Sequence, residues 1–189
     1  MESTLIVSCT EKTTGFFREM LNAAGINQIV TLNTVTEARR LLLNQDFDLV
    51  IVNSPLSDES GESFSRQIAS ADSSQVILVV KDECFEEVSA ACEEDGVLIV
   101  AKPVSKTVFR SALLLARSAR SRLKRLQDEN SRLKQKLEDI GIINRAKYIL
   151  ITYLNMSEQE AHRFIEKQAM DMRAAKRVIA EGILKTYEN

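Results

Sequence analysis

The chain has 189 residues, 44% apolar and 28% charged, which is ordinary for a folded globular protein and enough for one domain plus a smaller module. No apolar run approaches the roughly 18–20 residues that span a bilayer, and Met1-Glu2-Ser3-Thr4 is neither basic nor followed by a signal-peptide pattern, so a cytoplasmic protein without membrane contact is expected. Cys9, Cys84 and Cys92 form no CxxC pair and His162 is the only histidine; with no metal constellation, nucleophile-base pair or Gly-rich phosphate loop, neither a metal, a cofactor nor an enzyme is expected.

The net charge of -2 conceals a split. Residues 1–104 carry 7 Lys+Arg and 17 Asp+Glu, a net of -10, whereas residues 105–189 carry 18 and 10, a net of +8. Such asymmetry points to an acidic module joined to one that meets a polyanion, or to two solvated surfaces of opposite sign.

In chain order, short apolar runs come first: Leu5–Val7, Ile29-Val30, Leu49–Val52, Val76–Val80 and Val97–Val100. They are rich in β-branched residues, as strands buried on both faces of a parallel sheet are. Amphipathic stretches separate them, with Phe16, Phe17, Met20 and Leu21 in one and Ala38, Leu41 and Leu42 in the next. Thr34, with Glu37 three residues on, caps the second of these helices. Strands alternating with helices predict a doubly wound α/β domain of flavodoxin-like size, (βα)5, over residues 1–118.

Residues 104–144 contain no Pro and read as one helix, on the order of 50–60 Å long at 1.5 Å per residue. Heptad spacing puts Phe109, Ala116, Leu123, Asn130, Leu137 and Asn144 at position a, and Ala112, Ala119, Leu126, Leu133 and Ile140 at d. A coiled-coil dimerisation helix over 109–144 follows, continuous with the last helix of the α/β domain. Between Leu123 and Ile140 Asn130 is the one polar a residue, and an Asn there finds its partner only in register, which favours a parallel homodimer with a seam of Leu123, Leu126, Asn130, Leu133, Leu137 and Ile140. On a single amphipathic helix, Asn130 would merely face solvent.

Residues 142–189 form a small all-α module of three helices. The first continues through Leu150 and Leu154 to a break at Asn155-Met156. Ser157-Glu158-Gln159-Glu160 is a capping box for the second, which carries Ala161, Phe164, Ile165, Gln168 and Ala169. After Arg173 a third helix carries Val178, Ile179, Ile183 and Leu184.

The strand order, with Lys102-Pro103 directly after the fifth run, resembles the receiver domain of two-component response regulators over residues 3–118. In that family an acidic pair after the first strand binds Mg²⁺, an Asp ending the third strand accepts a phosphoryl group, a Thr or Ser ends the fourth, and a Lys precedes a proline after the fifth. Carried onto this chain, Ser8 and Cys9 stand where the acids belong, Asn53 at the acceptor position and Val80 near the hydroxyl position; only Lys102 and Pro103 match. An amide is no carboxylate nucleophile, and Ser plus Cys suits a hard cation poorly, so the resemblance implies a pseudo-receiver with no phosphoacceptor. Glu11, Asp58 and Glu59 read as solvent-exposed loop charges.

Residues 142–187 resemble the ANTAR domain, the RNA-binding output module of antitermination regulators. The resemblance rests on Ala146-Lys147 with Leu150, then Met156-Ser157-Glu158, Ala161, Ile165, Gln168-Ala169-Met170, Arg173 and Ile179-Ala180; Tyr148 departs from it, standing where the family often has a small residue. It implies that a dimer binds paired stem-loops in nascent leader RNA and prevents terminator formation. The candidate RNA contacts are Arg145, Ala146, Lys147, Tyr148, His162, Gln168, Arg173, Lys176 and Arg177. Lys and Arg meet phosphates, and Arg or Tyr stacks on unpaired bases. Tyr148 and Tyr153 equally suit packing, His162 a half-buried helix position, and Arg163 and Lys167 at i, i+4 a solvated face. The basic stretch from Arg117 to Lys136 reads as a solvated flank of the coiled coil, or as a contact with RNA phosphates beyond the loops.

Two other readings stay open: a DNA-binding response regulator and a coiled-coil adaptor. Without a phosphorylation site, control passes to a regulatory protein partner, a ligand or expression level.

Overall fold

The computed structural model describes residues 3–71 and 74–187; Met1 and Glu2, part of the N-terminal reading above, lie outside them. The chain divides into two compact units, residues 1–124 and 125–189.

In the first unit, β1 (Ser3–Val7), β2 (Gln28–Leu32), β3 (Leu49–Asn53), β4 (Gln75–Lys81) and β5 (Leu98–Lys102) alternate with helices. They form one parallel sheet in the order β2-β1-β3-β4-β5. The five apolar runs are therefore strands, and β3 is buried along its whole length.

Alternate side chains face opposite layers. Leu5, Val7, Val50, Val52, Val76, Leu78 and Val80 pack on α2 (Val35–Leu42), α3 (Glu62–Ser70) and α4 (Phe85–Cys92) through Val35, Ala38, Phe64, Ile68 and Cys92. On the other face, Ile6, Leu49, Ile51, Ile77, Val79 and Val100 meet α1 (Glu11–Ala23) and the start of α5 (Lys106–Leu154). The order reverses between β1 and β3, so their carboxyl ends open a crevice, the usual site location in such sheets.

Thr34 caps α2 as its spacing predicts, accepting from the Glu37 amide. A second cap is tertiary. Asp58, in the loop after β3, accepts from the amides of Val35 (3.1 Å) and Thr36 (2.9 Å) and from the Thr36 hydroxyl (3.1 Å). Desolvation raises the Asp58 pKa, but these bonds more than offset it and hold the carboxyl below its ordinary value. Glu59 pairs with Arg39 at 3.3 Å. Asp58 is exposed and Glu59 half-buried, and both loop charges are also engaged in the fold.

The α5 helix corrects the start of the coiled-coil segment expected over 109–144, not the seam from Leu123 to Ile140. Phe109, Ala112 and Ala116 are buried in the core of the first unit, with the Phe109 ring 5.0 Å from Phe17 and 5.9 Å from Phe16. These a and d positions are already occupied, so residues 109–116 cannot belong to an intermolecular seam. Leu123 is half-buried, and Asn130 exposed. Leu126, Leu133, Leu137 and Ile140 are 57%, 54%, 70% and 54% exposed.

The second unit packs the end of α5, α6 (Glu158–Asp171) and α7 (Lys176–Tyr187) around Ala146, Leu150, Ala161, Ile165, Ala169, Ile179 and Ala180. Asn155, at φ 52°, ends α5, and Ser157 with Glu160 forms the reciprocal capping box of α6. The far end of α6 closes as a Schellman turn. Ala174 N–H donates to Ala169 O (2.9 Å) and Arg173 N–H to Met170 O (3.2 Å), with Arg173 left-handed at φ 50°. That position favours glycine; an arginine there costs about 1 kcal/mol.

Candidate functional site

Two regions hold the residues singled out by sequence. At the crevice, Ser8 and Asn53 are buried at the ends of β1 and β3. Asn53 Nδ2 donates to Ser8 Oγ at 3.0 Å, and Asn53 Oδ1 is buried without a hydrogen-bond partner. Cys9 is exposed, its thiol 3.5 Å from Pro55 O. Val80 is buried in the core and offers no hydroxyl. Lys102 Nζ donates to Ser54 O. Burial lowers the Lys102 pKa, Cys9 works against that, and Lys81 adds to it.

This donor set offers a divalent cation no carboxylate. Asp58 and Glu59 are engaged elsewhere, and among the described residues no group of three or more His, Cys, Asp or Glu side chains is placed to hold a metal. Ser8, Cys9 and Asn53 therefore suit a hard divalent cation such as Mg²⁺ poorly.

The second region is the surface of the helical unit. Ala146 is fully buried in its core, which corrects its assignment as an RNA contact: it is the small residue that lets α5 approach its neighbours. Arg177 is half-buried and paired, with Nη1 2.8 Å from Asp139 of α5 and Nε 2.8 Å from Glu181 of its own helix. Those hydrogen bonds, Glu181 first, hold its pKa above the ordinary value.

Lys147 keeps only 16% of its side chain exposed and pairs with Glu158 at 3.1 Å. His162 Nε2 lies 3.2 Å from Glu166, which also takes Lys176 at 2.5 Å. Lys147, Glu158, Gln159, His162, Arg163 and Glu166 line one groove. The expected cations are thus partly gathered, and two carboxylates that sequence reading passed over sit among them. Only the i, i+4 spacing of His162 and Glu166 hinted at this.

Arg145, Arg163, Lys167 and Arg173 are exposed, and Gln168 is half-buried. Tyr148 is 69% and Tyr153 62% exposed, so neither belongs to the core; the Tyr153 ring lies 5.6 Å from that of Tyr187.

The receiver-domain model of response regulators matches residues 5–114, and the ANTAR domain model matches residues 131–184. The transcriptional regulatory protein PdtaR of Mycobacterium tuberculosis, in strains CDC 1551 and H37Rv, is 27% identical over 168 residues, 89% of this chain and 82% of the relative. The receiver domain of an HD domain-containing protein from Pseudomonas fluorescens Pf-5 superposes with a TM-score of 0.56 at 21% identity, covering 64% of this chain and 97% of that one. The receiver domain of a sensor histidine kinase from Pseudomonas aeruginosa PAO1, solved with magnesium coordinated in its active-site cleft, gives 0.50 at 18% identity, with 59% and 93% covered. At these identities the structures establish the fold alone. The chain belongs to the response-regulator receiver family and carries an ANTAR domain as its C-terminal part.

Proposed function

We propose that this chain is a cytoplasmic transcription antiterminator that binds paired stem-loops in nascent leader RNA as a homodimer, through its ANTAR domain, and so prevents a terminator hairpin from forming. The observation that carries the reading is the surface of the helical unit, where Lys147, His162 and Arg163 line one groove and Tyr148, Lys167 and Arg173 are exposed. Cations for the backbone beside aromatic faces for unpaired bases suit structured RNA with open loops. Single-round transcription through a leader with two adjacent stem-loops and a terminator tests it. Added protein should raise read-through, and a template lacking the stem-loops should not respond. Equal termination with and without protein on both templates would contradict the proposal.

The receiver half does not accept a phosphoryl group in this account, because Asn53 replaces the nucleophile and Ser8 with Cys9 replaces the metal-binding acids. Incubation with acetyl phosphate and Mg²⁺ should leave the intact mass unchanged. A Mg²⁺-dependent gain of one phosphoryl group would overturn this.

Arg173 supplies a further expected result. Glycine in its place should relieve the left-handed strain and stabilise the helical unit by about 1 kcal/mol. The same change removes a cation, so RNA affinity should fall roughly tenfold while thermal stability rises. Stabilisation without loss of affinity would take Arg173 out of the interface.

A further inference from the structure

Glu158 and Glu166 line the groove of Lys147, His162 and Arg163, and Glu166 also reaches Lys176. Glu158 engages Lys147 at 3.1 Å; Glu166 engages Lys176 at 2.5 Å and lies 3.2 Å from His162. Hydrogen bonding to Lys176 holds the Glu166 carboxyl below its ordinary pKa. All these side chains are on α5, α6 and α7 of one compact unit.

We propose that Glu158 and Glu166 are selectivity-determining residues of this interface: internal carboxylates that occupy its cations in the free protein and are exchanged only for correctly placed RNA phosphates. The proposal rests on the RNA-binding reading above and deepens it.

The physical argument is one of exchange. Exposed ion pairs are weak, so a phosphate held at the right distance displaces a carboxylate at little cost. Glu158 is 75% exposed along its side chain and can swing into water once displaced. A structured RNA brings several phosphates to fixed positions and recovers Lys147 and Lys176 together. An unstructured strand binds almost wholly through counterion release, and every cation already neutralised by a carboxylate is one fewer for it to use. The two glutamates therefore weaken non-specific binding more than specific binding.

Substituting each acid by its amide tests this. Glu158→Gln and Glu166→Gln each make one more cation available to any polyanion. For a single-stranded uridine homopolymer, each variant should bind roughly fivefold tighter near 0.1 M salt, and the log-log salt slope should steepen by about 0.7. For a synthetic RNA with two adjacent stem-loops, taken from a leader recovered with the protein from cells, the gain should stay under about threefold with the slope unchanged, because Lys147 and Lys176 are engaged in that complex already. Asp171→Asn controls for net charge; Asp171 lies on α6 outside these pairs and should move neither affinity.

Circular dichroism confirms that each variant is folded. Equal gains for both RNAs, weaker binding of the stem-loop RNA, or an equal effect from Asp171→Asn would each overturn the proposal. If the parent protein itself shows no preference for the stem-loop RNA over the homopolymer, the RNA-binding reading fails and takes the proposal with it; a preference in the parent with unchanged variants sinks the selectivity role alone.

Discussion

Leu133→Asp is expected to leave the protein monomeric at micromolar concentration. Leu126, Leu133, Leu137 and Ile140 recur at steps of seven, four and three along α5, with Asn130 four residues after the first, and each leucine and the isoleucine is more than half exposed in the single chain. An apolar stripe of this kind finds its cover in a second helix, and the spacing is that of knobs entering holes. In a dimer the substitution places two carboxylates opposite each other in the seam. Burying them without partners costs several kcal/mol, a large share of what a short coiled coil supplies. The aspartate faces water in the monomer, so the chain should stay folded. Light scattering on the parent and the variant reads the result directly; a variant as dimeric as its parent would place the interface elsewhere.

Ala146→Asp should unfold the helical unit. The position is fully buried among Leu150, Ala161, Ile165, Ala169, Ile179 and Ala180, where a carboxylate has neither room nor a partner. An unpaired buried charge costs on the order of 3–5 kcal/mol, comparable to the whole stability of so small a core. Hydrogen exchange should show loss of protection across α6 and α7 with the receiver sheet unaffected. Retained protection would contradict the packing described, and would return Ala146 to the list of surface contacts.

The elements that the sequence made legible are those written in local chemistry. β-branched runs predict the strands, and Ser157 with Glu160 predicts the start of α6, because strand periodicity and capping are properties of neighbours in the chain. Heptad spacing was ambiguous for a physical reason. Phe109, Ala112 and Ala116 satisfy it while packing on the receiver, since a helix face looks the same whether it meets its own domain or another chain. Ala146 was misassigned because a resemblance marks which residues belong to a module and not which face they occupy. The tie between Arg177 of α7 and Asp139 is not legible, because the two stand 38 positions apart in sequence. Asp58 escaped for the same reason: its partners Val35 and Thr36 come together with it only when the loop after β3 folds over α2.

The most direct test of the central claim is a side-by-side titration of the 189-residue chain with a two-stem-loop leader RNA and with duplex DNA of equal length at the same salt. The account predicts that the RNA binds at least about a hundredfold tighter, a difference near 3 kcal/mol, and that Lys147→Ala weakens it roughly tenfold or more in a folded variant. Equal affinity for the two nucleic acids, or tighter binding of the duplex DNA, would contradict it.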